Sequence, residues 1–488
     1  MKQLTGLDAS FLYMETGSQF GHVSGLSILE PPQDAGYDPF TAWRSQIEAR
    51  LHLLEPLRRR VIDVPLRLDH PFWIEDPDFD LDFHVRHSAV PPPGRLDQLA
   101  EVVARLVGRP LDRNHPLWES YVIEGVEGGR FAVLTKVHHA TVDGASGVEL
   151  LTMMLDATPE PADVPEATDD WRPERLPTDF EVLGRAMVSL ARKPGRLMVL
   201  SARTARALGQ ATRNPVLTAT AKSFRESLRG PVGAILNVGR RREPDVDRPA
   251  QPITLQAPRT PFNHAITPHR KLALRSTPLS QVKAIKNALG ATVNDVVMAA
   301  CAGGLRAYLQ DRDALPAEPL VAMVPVSIRT GAEPERWTNR VSGVVAALPT
   351  DEEDPLQRVK LVHESMGNAK ELFQALPAED LMNFSQFAPP AVFARAMRVA
   401  TRLRPPVNLV ISNVPGPREP LYVAGAQLIH YYPVSTIVDG QGLNITVQSY
   451  LDTLDFGLVG CRELLPDLDE LADAIVTDLD KMAAAAGV

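Results

Sequence analysis

Val137-His138-His139-Ala140-Thr141-Val142-Asp143-Gly144 lies between two runs of different period. Upstream, Arg130 to Val137 reads as a β-strand, separated from a shorter one (Tyr121 to Ile123) by the glycine turn Gly125-Val126-Glu127-Gly128-Gly129. Downstream, Ser146 to Leu155 reads as a helix. Such a junction can hold a side chain rigidly at a cleft. Successive strand residues point to opposite faces, so one imidazole is expected to face the cleft and the other to pack. A neutral imidazole, with an unperturbed pKa of about 6.5, can take a proton from an alcohol near neutral pH. An alcohol needs that help, whereas a thioester is already activated. One well-placed histidine therefore suffices for acyl transfer from a thioester to a hydroxyl.

Asp143 allows two readings. It could orient the imidazole, as in a triad, or turn away, pair with an arginine and hold the loop. Gly144 permits a tight turn into the helix. Two adjacent histidines on opposite strand faces are poorly placed to share a metal, and no nearby cysteine supports zinc, so no metal is expected.

Working outward, Val23 to Leu29 reads as a strand, Pro39 to Leu54 and Leu96 to Val107 as helices. From Thr158 to Thr178 the chain is rich in Pro, Asp and Glu, as exposed linkers are. Between Arg185 and Arg242 stand thirteen Lys or Arg against one acid, Glu226. That segment is either a helical connector with a solvated basic face or a surface for anionic headgroups or nucleotide phosphates. Further on, Leu279 to Leu289, Val293 to Leu309 and Leu468 to Ala485 read as helices. Leu320 to Ile328, Gly343 to Leu348, Val407 to Ile411, Leu443 to Tyr450 and Asp455 to Gly460 read as strands. The simplest architecture is an N-terminal α/β domain over 1–157, a linker and basic helical segment over 158–265, and a C-terminal α/β domain over 266–488.

The 488 residues, 44% hydrophobic, are enough for sizeable cores, and the net charge of -9 argues against a nucleic-acid partner. Cys301 and Cys461 form no disulfide framework or metal spacing and read as buried small hydrophobes. The N-terminus shows no signal-peptide core, and the apolar run Val296 to Leu305 is too short to span a bilayer. A cytoplasmic protein is expected, peripherally attached to the inner membrane or to lipid droplets.

The His138-His139-Ala140-Thr141-Val142-Asp143-Gly144 motif resembles the signature of the CoA-dependent acyltransferase superfamily. Other blocks narrow the likeness to the bacterial wax ester synthase/diacylglycerol acyltransferase family. They are Leu7-Asp8-Ala9-Ser10-Phe11-Leu12 with Gly21-His22-Val23, Pro110-Leu111-Asp112-Arg113, Pro116-Leu117-Trp118-Glu119, Asn294-Asp295-Val296-Val297, Pro325-Val326-Ser327-Ile328-Arg329 and Ser412-Asn413-Val414-Pro415-Gly416-Pro417. One departure is Thr338 before Asn339, where the family often has Gly.

The resemblance implies an α/β (α+β) fold of two chloramphenicol-acetyltransferase-like domains, each a mixed sheet with helices, joined by a helical linker. It implies His139 as general base, His138 as its structural neighbour, and Asp143 paired with an arginine, with Arg58, Arg59 and Arg60 as candidates. Asn294 and Asp295 are expected to complete the site from the other half, to cap their helix, or both. Backbone N–H groups near Gly144 or the Asn294 side chain are candidate oxyanion donors. The Ser412 to Pro417 run is either a turn fixed by Pro and Gly or a wall near the reacting carbonyl. The implied reaction passes the acyl group of acyl-CoA, a co-substrate rather than a cofactor, to diacylglycerol. Wax ester synthesis on a fatty alcohol and a non-catalytic lipid-binding role are the alternatives.

Overall fold

The computed structural model describes residues 1–34, 36–142, 144–165, 175–189, 257–327, 341–375 and 407–488. One six-stranded sheet has the order β12 (Tyr422–Val423), β13 (Ala426–Val434), β2 (His22–Glu30), β7 (Arg130–His138), β6 (Trp118–Val126) and β5 (Val85–Ala89). A second has the order β10 (Val341–Leu348), β9 (Leu320–Ser327), β11 (Leu409–Val414), β14 (Leu443–Tyr450), β15 (Thr453–Cys461) and β8 (Arg270–Pro278). A small sheet joins β1 (Lys2–Gln3), β4 (Phe72–Glu75) and β3 (Arg59–Ile62). The helices are α1 (Gly6–Met14), α2 (Pro39–Arg50), α3 (Glu55–Arg58), α4 (Leu81–His84), α5 (Leu96–Val107), α6 (Gly144–Met154), α7 (Leu279–Leu289), α8 (Val293–Gln310), α9 (Pro355–Ala375) and α10 (Leu468–Ala486), with a further helical segment at 179–189.

Each half therefore carries a mixed sheet with helices, as expected. The boundary at 266–488 needs correction. Strands β12 and β13 come from the C-terminal part of the chain but complete the N-terminal sheet, β13 lying antiparallel to β2 with Tyr431 opposite Ser27. Nothing in composition marks this exchange, because it depends on which edge β13 meets rather than on its own residues. The exchange ties the halves together. Leu99, Val103 and Leu134 of the first half share a core with Leu272, Leu274, Val459 and Cys461 of the second.

In the second half, the run Met298-Ala299-Ala300-Cys301-Ala302-Gly303-Gly304-Leu305 is fully buried in α8. Small residues let α10 approach closely: a Cβ on Gly304 would stand 2.4 Å from Ile475 Cγ1. Among the described residues, no single helix is long and apolar enough to cross a membrane. The connector at 190–256 lies outside the described residues, and with it most of the basic segment.

Candidate active site

Strand β7 delivers the histidine pair. Its alternation places Thr135, Val137 and His139 on the wall of a cavity of about 430 Å³, while Lys136 and His138 are buried away from it. The cavity lies between the halves. From the first half it is lined by Val23, Gly25, Val142, Leu151 and Met154, and from the second by Val326, Ser412, Asn413, Pro415, Thr446 and Gln448. Exchanged strand β13 contributes Tyr431, Pro433 and Val434. The walls are mostly apolar, which suits acyl chains.

His139 is half-buried, and its ring stacks on Phe11 of α1 with centroids 4.2 Å apart and 9° between planes. Its backbone N–H donates to Gly21 O at 2.8 Å. These contacts fix ring and backbone from one side, and the residue forms part of the cavity wall.

His138 is 1% exposed. Its Nδ1 accepts the Ala140 N–H at 3.0 Å, which leaves the hydrogen of a neutral ring on Nε2. Nε2 lies 3.2 Å from Glu15 Oε1, an electrostatic contact whose angle falls short of a hydrogen bond. Glu15 closes α1 and accepts the Gly21 N–H at 2.9 Å and Arg113 Nη2–H at 2.6 Å. Burial alone would raise its carboxyl, but His138, the Gly21 N–H and Arg113 together pull it down to about 2. The carboxylate thus binds helix end, strand start and histidine turn into one unit. Tyr431 stands over Gly25, and burial pushes its phenol up to about 12, so the hydroxyl stays neutral.

Neither Asn294 nor Asp295, expected to complete the site, is among the residues that line this cavity. Asp295 closes a capping box, accepting the Thr292 N–H at 2.9 Å, and lies 2.8 Å from His363 Nδ1. The capping reading holds for it. Asn294, offered as an oxyanion donor, is likewise outside the wall. Asp143 lies outside the described residues, and Gly144 opens α6. Arg58, Arg59 and Arg60 already have carboxylates: Glu75 at 3.6 Å, Glu55 at 3.0 Å and Asp76 at 3.4 Å respectively. The Ser412 to Pro417 run does form wall, through Ser412 to Pro415.

Glu15, Arg113 and Gln448 escaped the reading of the sequence. Arg113 sits inside a block quoted above only for its resemblance. Gln448 had a signal: in Leu443-Asn444-Ile445-Thr446-Val447-Gln448, every second residue is polar although the strand is buried on both faces. Among the described residues no cluster of His, Cys, Asp or Glu could hold a metal ion.

Comparison with known proteins follows the same lines. The family model of the wax ester synthase/diacylglycerol acyltransferase catalytic domain matches residues 4–297, and that of its C-terminal domain residues 337–483. The chain is 37% identical over 487 residues to a putative diacylglycerol O-acyltransferase of Mycobacterium tuberculosis, covering 99% of this chain and 100% of the relative. It is 35% identical over 477 residues to the O-acyltransferase WSD of Acinetobacter baylyi, covering 96% and 94%. The solved wax ester synthase/diacylglycerol acyltransferase of Marinobacter aquaeolei superposes with a TM-score of 0.67 at 31% identity, covering 100% of both chains. A condensation domain of the calcium-dependent antibiotic synthetase shares the fold alone, with a TM-score of 0.55 at 16% identity over 100% of this chain and 97% of that one.

Proposed function

The chain belongs to the wax ester synthase/diacylglycerol acyltransferase family and is an acyl-CoA-dependent O-acyltransferase; from that premise we propose that its acceptor is diacylglycerol, its product triacylglycerol, and its general base His139. One observation carries the assignment of the base. Of the two adjacent histidines, His139 is the one on the wall of the cavity shared by the halves, while His138 is sealed behind it.

The chemistry is a direct transfer. His139 takes the proton of the acceptor hydroxyl as its oxygen attacks the thioester carbonyl carbon. The tetrahedral intermediate collapses, the C–S bond breaks, and the proton passes from the imidazolium to the departing thiolate. No covalent acyl-enzyme is needed. Stacking on Phe11 costs no proton acceptor and keeps the ring in one plane. The apolar walls exclude water, which would otherwise compete for the thioester. The diacylglycerol acyltransferase names of several relatives support the choice of acceptor.

The test is transfer of labelled palmitate from palmitoyl-CoA to dioleoylglycerol and, in parallel, to hexadecanol, with His139→Ala as control. Transfer mainly to dioleoylglycerol, reduced about 10²–10⁴-fold in the variant, is expected. A preference for hexadecanol would replace the acceptor and keep the base. Undiminished transfer in the variant would remove His139 from the role.

Attachment to a lipid surface belongs to the same proposal. Leu66 is 89% and Phe180 87% exposed, and both flank a small core of Val64, Phe72, Val182 and Ala186. Leu66 is also held at φ 56°, an unfavourable backbone for a leucine whose side chain is left in water. Sedimentation with anionic vesicles should fall on Leu66→Ser with Phe180→Ser; unchanged sedimentation would sink the patch.

A further inference from the structure

We propose that Gln448 holds a carbonyl oxygen of the lipid substrate in the cavity by donating from Nε2. The proposal rests on the acyltransferase reading and adds a substrate contact to it.

Strand β14 alternates: Leu443, Ile445 and Val447 enter the core of the second half, while Asn444, Thr446 and Gln448 form a buried polar row on the other face. Within that row Thr446 donates to Asn444 Oδ1 at 2.8 Å. Gln448 does not share in this pairing. It is 3% exposed, lines the same cavity as His139, and its Nε2 finds no acceptor among the described residues. A buried amide without a partner is costly, and such groups are few in folded proteins. Gln448 pairs with Val414 across β11 and β14, and Gly416 lies beside it: a Cβ there would stand 2.0 Å from Ser449 O and 3.1 Å from Nε2.

An unpaired amide N–H in a mostly apolar wall asks for an acceptor oxygen on a mostly apolar ligand. Phosphates do not fit that description. The substrates offer it in two places: the thioester carbonyl of acyl-CoA and the ester carbonyls of diacylglycerol. If the oxygen is that of the thioester, the contact strengthens as charge develops there in the transition state. If it is that of the glycerol ester, the contact selects the acceptor.

Gln448→Met keeps length and volume but removes the donor. Because the amide is unpaired in the free protein, the thermal midpoint should hold or rise. Transfer from palmitoyl-CoA is then measured to dioleoylglycerol, which carries ester carbonyls, and to hexadecanol, which carries none. A fall in kcat of about 10²–10³-fold with both acceptors assigns the thioester oxygen. A rise of about tenfold in KM for dioleoylglycerol alone assigns the glycerol ester oxygen. Unchanged kinetics with both, or a loss accompanied by a lowered thermal midpoint, overturns the proposal. Should the unmodified protein transfer to neither acceptor, the acyltransferase reading fails and the contact is decided separately. In the His139→Ala background, the isotope-edited infrared carbonyl band of bound palmitoyl-CoA or dioleoylglycerol should lie lower with Gln448 than with Met at that position. Identical bands for both ligands overturn it.

Discussion

Gly21 has no side chain where the His138 imidazole stands: a Cβ there would lie 2.4 Å from Nε2. Gly21 also accepts the His139 N–H and donates its own N–H to Glu15. Gly21→Ala should therefore push the His138 ring off Glu15 and carry the adjoining His139 with it. A lowered kcat is expected, with a loss of about 1–3 kcal/mol in stability. Paired kinetics and thermal melts check this; normal kcat would mean that the His139 position is independent of its neighbour.

Glu15 makes stability depend on acid. Its carboxyl is held at about 2 in the folded chain against 4.5 in the free state. A depressed folded value gives a contribution that is present above the unfolded pKa and is lost as pH falls through the folded one. Glu15→Gln should be less stable than the parent above about pH 4.5, and the gap should close as pH falls toward about 2. Thermal midpoints of both proteins across that range decide it; a constant gap would mean that the ionised form is not the one favoured.

Lys136, 0% exposed, donates to Leu106 O and Arg109 O at 3.1 Å each and to Glu119 Oε2 at 3.2 Å. Burial draws its pKa down, while Glu119 opposes that. Removing the lysine leaves the buried Glu119 with only the Tyr121 hydroxyl at 2.8 Å and Arg86 at 3.5 Å among the described residues. Lys136→Ala should cost about 3–5 kcal/mol, whereas Lys136→Met with Glu119→Leu should recover most of it. Chemical denaturation of the single and double variants measures the difference. Equal losses in both would show that the lysine acts through the Leu106 and Arg109 carbonyls rather than through the pair.

Much of this arrangement was legible in the chain because local pattern decides it. Period-two alternation through β7 already separates His139 from His138, and Leu96–Val107 and Leu443–Tyr450 appear as the sequence implies. Strand β13 was not legible. Its partner β2 lies about four hundred residues earlier, and edge pairing over such a separation leaves no mark in either strand's composition. Asn294-Asp295 resembled a site block, yet the Thr292 N–H and His363 occupy the Asp295 carboxylate. Glu15 was invisible for the opposite reason. An isolated acid after a short helix looks like an ordinary surface residue until Arg113, nearly a hundred positions away, closes on it.

The exchange of β13 makes one glycine decisive for the shape of the cavity. Gly457 of β15 lies against β13, and a Cβ there would meet Pro433 O at 1.7 Å. The obstacle is backbone, so no rotamer change relieves it. Pro433 forms cavity wall, and Gly457 pairs with Thr446, which forms wall from the other sheet. Gly457→Ala should therefore push the two walls apart. It should lower stability by about 1–3 kcal/mol or more and reduce transfer even in the fraction that remains folded. Gly367→Ala is the matched control: it lies within α9, is exposed, and its added Cβ would meet nothing within 4 Å. There the substitution should stabilise by about 0.4–1 kcal/mol and leave transfer intact. Activity per folded molecule, with the folded fraction read from the same melts, separates a displaced wall from simple unfolding. Full specific activity in folded Gly457→Ala would mean that the sheets are free to move apart without consequence for the substrate.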